Sequence, residues 1–140
     1  MTIAVNLFTY VRAHDLGAVY AAETGFKLSS DPDTVRAPDV AFVSKLRVDM
    51  APTHGFLPGP PDFAVEVLSF NDSRRKTDTK AKHWIASGAR LVWLVDPKRR
   101  TVTVYRSATD IHEDGESETI NGYDVVPGFT LDVKEIFSDS

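Results

Sequence analysis

Apolar residues recur at helical spacing near the start of the chain. Ile3, Leu7, Tyr10 and Val11 fall on one stripe, with Val5 and Phe8 nearby, which predicts a helix over residues 2–14. Gly17, after His14 and Asp15, predicts its stop. Ala18–Ala22 and Phe26–Leu28 are short apolar runs joined by ETG, a pattern that predicts a hairpin. DPDT, residues 31–34, predicts a turn, and Asp39–Val43 a strand entered through Pro38. Residues 49–61, DMAPTHGFLPGPP, carry so much Pro and Gly that a loop is expected. Phe63–Leu68 is apolar throughout except for Glu66, as in a strand buried on both faces. Asn71, Asp72 and Ser73 offer caps for a helix over about 74–87. Its stripe is Ala81, Trp84 and Ile85, and Gly88 stands at its end. Leu91–Val95 predicts another buried strand, DPKRR a turn, and Thr101–Arg106 a half-buried strand. Residues 107–122 are polar, and Tyr123–Phe137 closes with a short strand and a last helical turn.

This order implies one α/β (α+β) domain over 1–140, a mixed β-sheet flanked by helices. The segment 62–96 reads as a strand–helix–strand unit, a right-handed parallel crossover. A length of 140 residues, 42% hydrophobic and 26% charged, suits a single globular core. No apolar run approaches the ~20 residues of a membrane span, and no positive n-region precedes the first apolar residues. There is no cysteine, which excludes disulfides, thiolate nucleophiles and thiolate zinc sites and makes a cytoplasmic location the expectation. The net charge of −4 argues against a sequence-independent nucleic-acid binder. Its distribution is uneven: five basic residues and one acidic lie between Arg74 and Lys82, while acids cluster between Asp110 and Glu118.

Glu66 is the position that the hydrophobic pattern does not explain. A buried ionised carboxylate needs a partner, a proton or a metal. Asp62 is nearest in sequence, but four strand residues separate the two by about 13 Å, at ~3.3 Å per residue. Asp39, on another strand, is the better partner, because neighbouring strands run ~4.8 Å apart and two such carboxylates can meet on one ion. Leu68 shares the face of Glu66; it has no charge to offer, only a backbone carbonyl as a metal ligand. Lys76, Lys80 and Trp84 are spaced by four on the following helix, and Lys80 borders the buried stripe.

The stretches GAVYAAETGFKL, VRAPDVAFVSK and PDFAVEVLSFNDSRRKTDTKAKHWIASGARLVWLVDPKRRTVTVYR together resemble the Uma restriction-endonuclease family of the PD-(D/E)XK nuclease superfamily. The combination carries the resemblance: an aspartate closing one strand, EVLS closing the next, a lysine eight residues before a glycine, then VWLVDP. It runs from about residue 3 to 106, and more loosely to the end. The resemblance implies a restriction-endonuclease-like core and Mg²⁺-dependent endonuclease chemistry on DNA, with Mn²⁺ as a substitute ion. Asp39 and Glu66 would be metal ligands, Leu68 would add its carbonyl, and Lys80 would replace the lysine that other members keep two residues after the glutamate. Members usually carry a strand pair before the first helix; this chain begins almost at that helix, so a short form is expected.

Plainer readings exist for each residue. Glu66 pairs with Arg36 or Lys45 as a structural acid; Asp39 is a turn residue; Lys80 is a solvated helix lysine, with Lys76 its rival. Asp62 reads as a strand-entry residue near the site. Ser69 has no histidine beside it, so no serine triad is indicated. The four histidines show no zinc spacing. Trp84 and Trp93 read as core, and Arg74, Arg75 and Lys76 as a solvated first turn or phosphate contacts. A catalytically inactive binding or interaction module on the same fold is the alternative to an enzyme. Exposed strand edges pair readily, so a homodimer is expected.

Overall fold

The computed structural model describes residues 2–21, 24–29, 34–50 and 57–138. Helix α1 (Thr2–His14) leads into strands β1 (Gly17–Ala21), β2 (Phe26–Ser29), β3 (Thr34–Arg36) and β4 (Val40–Ser44). Then come α2 (Lys45–Asp49), β5 (Leu57–Pro58), β6 (Phe63–Val67), α3 (Arg74–Ala86), β7 (Leu91–Asp96) and β8 (Thr101–Tyr105). Strands β9 (Ile111–Asp114), β10 (Thr119–Asn121) and β11 (Thr130–Asp132) precede a last turn of helix, α4 (Val133–Ile136). The six-stranded sheet has the order β1-β4-β6-β7-β8-β9. Only β6 and β7 pair in parallel within it, with α3 as their connection, so the expected mixed sheet and parallel strand–helix–strand unit are both present.

Alternation along β6 explains why both its faces are apolar. Phe63 and Val65 point to one side, where Phe42, Trp93 and Val104 join Ile3, Leu7 and Val11 of α1 and Phe129, Leu131 and Val133 near the C-terminus. Phe63 and Trp93 meet edge to face at 4.8 Å, a geometry favoured by the ring quadrupoles. Ala64 points to the other side, with Ala41, Val92 and Leu94 beneath Ala81 and Trp84 of α3 and Phe26 of β2. The cross-strand pair there is Ala41 and Ala64. Two methyl side chains leave room for the large rings of Trp84 and Phe26, which stand edge to face at 6.3 Å. Each large side chain buried in this way contributes about 1.5–3 kcal/mol. Among the described residues, no helix is long and apolar enough to cross a membrane.

The helix ends follow their local chemistry. Ser73 caps α3 by accepting the Lys76 N–H at 3.1 Å, and Gly88, at φ +113°, follows it as expected. Gly17 does more than stop α1: a Cβ there would stand 2.0 Å from the Val43 carbonyl oxygen, so glycine lets β1 close onto β4.

Several expectations are corrected. Strands β1 and β2 do not form a hairpin. β1 pairs antiparallel with β4, while β2 joins a separate sheet between β3 and β5. Residues 22 and 23 of the proposed connection, and 31–33 of the DPDT turn, lie outside the described residues. Within the stretch expected to be loop, Leu57–Pro58 pairs with Phe26–Lys27, and 51–56 lie outside the described residues. The polar segment 107–122 contains β9 and β10. β9 sits at the sheet edge with little burial, where His112, Glu113 and Asp114 replace an apolar signal.

Candidate functional site

β6 and β7 run the same way, so their C-terminal ends share one edge of the sheet. β4 runs antiparallel to β6 and therefore starts at that edge. The register pairs Val40 with Val65 and Ala41 with Ala64; Asp39, just before β4, bonds to the residues on either side of Glu66. Hydrogen bonds hold it there. The Asp39 N–H donates to the Val65 carbonyl at 3.0 Å, and the Val67 N–H donates to Asp39 Oδ2 at 2.7 Å. The carboxylate thus continues the ladder where the backbone turns away.

Glu66 is 5% exposed. Its partner is neither Arg36 nor Lys45: Trp84 Nε1 donates to Glu66 Oε2 at 3.2 Å, while Lys45 pairs with Asp15. Burial pushes the Glu66 carboxyl above the usual carboxylate range. The Trp84 hydrogen bond and the charge of Lys80 oppose this, and the charge of Asp39 adds to it. Asp39 and Lys80 are therefore both close enough to act on Glu66. Lys80 is exposed on α3, one turn before Trp84. Lys80 and, more weakly, its rival Lys76 both act on Asp72, but Lys80 alone of the two acts on Glu66.

Trp84 is the residue whose role the sequence pattern hid. It is core, as expected, at 1% exposure, but its N–H also fixes the carboxylate. Trp84→Phe keeps most of the ring and removes the donor. It is expected to lower the unfolding free energy by about 1–3 kcal/mol at pH 7, measured by urea titration. The same change in a Glu66→Gln background should cost less, because the acceptor is then uncharged.

Arg74 is also corrected. It is not a free phosphate contact: it donates to Asp96 Oδ2 at 2.9 Å, Thr103 Oγ1 at 2.9 Å and Glu113 Oε2 at 2.7 Å. These bonds tie the first turn of α3 to β7, β8 and β9. Tyr105 ties the next turn, donating to Asp78 Oδ1 at 2.5 Å. The helix that carries Lys80 and Trp84 is thus anchored along its length. Asp62 is the strand-entry residue expected, but it serves the opposite end of β6. It accepts the Ser44 N–H at 2.8 Å and lies near Arg47 and Arg90, at 3.4 and 3.5 Å.

Among the described residues, no group of three His, Asp or Glu side chains is placed to hold a metal. The donor set at this edge is two carboxylates, each with one oxygen engaged by a protein N–H. Hard oxygen donors in that number suit Mg²⁺, which keeps several waters and often takes only one or two carboxylates. The two residues therefore fit that ion.

Residues 2–134 match the model of the family Uma2, described as "Putative restriction endonuclease". No curated protein matches the chain. Among solved structures, the chain is similar to one titled a "putative nuclease belonging to DUF820" from Anabaena variabilis. The two superpose with a TM-score of 0.82 at 21% identity, covering 98% of this chain and 76% of that one. At that identity the likeness shows a shared fold.

Proposed function

The chain belongs to the Uma2 family, and from that premise we propose that it is a Mg²⁺-dependent nuclease hydrolysing phosphodiester bonds in DNA. One observation carries the reading: Asp39 bonds to Val65 and Val67 on either side of Glu66 at the sheet edge, with the Lys80 charge acting on Glu66. Asp39 and Glu66 would hold the ion, and the Leu68 carbonyl would be a further ligand. When bound, the ion supplies Lewis acidity toward the phosphate and lowers the pKa of a coordinated water.

The protein's own part is electrostatic. Burial disfavours the Glu66 anion, and a cation between the carboxylates compensates for that penalty. Trp84 orients the Glu66 carboxylate and the Val67 N–H that of Asp39, so the two groups that would hold the ion are already positioned by the protein. Lys80 places an ammonium where negative charge grows on the phosphate or where the attacking water is oriented.

The test is calorimetric titration with Mn²⁺ and Mg²⁺, alongside nicking of supercoiled plasmid in the same buffers. Binding with metal-dependent nicking is expected. Binding without nicking would support the alternative, a nuclease fold used as a binding module. No binding at millimolar ion would sink the metal site.

A further inference from the structure

Phe70 is the most exposed large apolar side chain among the described residues, at 89%. Leaving a ring in water forgoes the free energy of its burial. The ring lies four residues beyond Glu66 in the chain, past the end of β6 that carries that carboxylate. Phe70 lies in the connection between β6 and α3, just beyond Leu68, and Pro97 and Lys98 follow β7 at the same sheet edge. A cleft of about 220 Å³ is lined by Phe70 and Lys98, by the acids Asp72 and Asp96, and by Leu68, Ser69 and Pro97. Lys98 Nζ sits 5.4 Å from the centroid of the Phe70 ring.

The backbone under the ring is pinned. The Ser69 N–H donates to Asp72 Oδ2, and the Asp72 N–H donates to the Ser69 carbonyl, both at 3.1 Å. The neighbouring acids are committed internally: Asp72 to Ser69, and Asp96 to Arg74 and to the Lys98 and Arg99 N–H groups. Lys98 is the cation at the cleft, and Arg75, Lys76 and Lys80 are exposed on the adjoining helix. The balance at this face suits an anionic strand.

We propose that the Phe70–Lys98 cleft is a stacking subsite for an unpaired nucleobase of the strand whose phosphate enters the Asp39–Glu66 site. The inference rests on the nuclease reading and names its substrate class: DNA with a single-stranded or frayed segment at the cleavage point. A base inside a duplex is already stacked on its neighbours, whereas an unpaired base has a free face for the ring. Base–aromatic stacking is worth about 1–3 kcal/mol per base, whatever the base. Lys98 adds cation–π contact and charge for the adjoining phosphate.

The experiment is fluorescence anisotropy of a labelled single-stranded oligonucleotide and of its duplex, in EDTA, so that metal and cleavage play no part. Phe70→Ala is expected to weaken single-strand binding by about 5- to 100-fold. Duplex binding and the melting temperature should hold, since the ring is almost fully exposed. Phe70→Trp should retain binding, and the loss in Lys98→Gln should shrink as salt rises. Unchanged single-strand binding by Phe70→Ala overturns the subsite and leaves the nuclease reading standing. Phe70-dependent binding without metal-dependent nicking keeps the subsite and removes the nuclease. A wild-type protein that binds neither DNA at low salt overturns the subsite.

Discussion

Glu66→Gln is expected to abolish metal-dependent nicking while making the fold more stable at neutral pH. The first half follows from the donor set: one of two carboxylates is lost, and with it the Lewis acid, whose contribution is several kcal/mol. The nicking rate should fall by more than about 10²-fold, and calorimetry should show no ion uptake. The second half follows from burial, which raises the folded-state pKa of Glu66 above its unfolded value. Between those two values the folded protein binds more protons than the unfolded chain, so stability falls as pH rises through that window. Above it the loss is complete. Glutamine is neutral throughout and still offers an oxygen to the Trp84 N–H. Urea unfolding should therefore show the variant gaining on wild type as pH rises above the ordinary carboxylate range, in the absence of metal. A variant that is less stable at pH 7 and still takes up Mn²⁺ would make Glu66 a structural acid.

Lys80→Ala is the second large effect expected. The ammonium is exposed, yet its charge acts on Glu66. Removing one preorganised electrostatic group typically costs about 10²–10³ in rate. Nicking at saturating Mn²⁺ should fall by that much, with ion uptake retained, because Lys80 is not a ligand. Lys76→Ala should change the rate by only a few fold, since of the two lysines Lys80 is the one whose charge acts on Glu66. If Lys76→Ala matched Lys80→Ala, the assignment of the lysine would be wrong. A Lys80→Ala protein that nicks normally would remove the residue from the chemistry.

Much of this site is written in local pattern. An acid inside FAVEVL is conspicuous because everything around it is apolar, and the spacing of Lys80, Ala81 and Trp84 follows from helical geometry. The same locality explains the failures. Arg74 looks like a solvated first-turn residue until Asp96, Thr103 and Glu113 arrive from three other strands. The hairpin expected of β1 and β2 rested on their nearness in sequence. Pairing is decided by which surfaces can be covered: β1 carries Val19 to the α1 side of the sheet, and β2 carries Phe26 to the α3 side.

Periodicity and composition were enough to specify helices α1 and α3, the buried strands, the absence of thiol chemistry and the oddity of Glu66, because each depends on residues close along the chain; they did not show α2. The placement of Asp39 beside Glu66, the indole that holds that carboxylate, the anchoring of α3 and the shared edge of β6 and β7 are long-range facts. They follow from strand order and register, which are set when both faces of one sheet are buried at once. A one-residue slip of β4 would turn Ala41 toward α1 and Phe42 toward Trp84. The core excludes that slip, and in doing so it brings the carboxylates together.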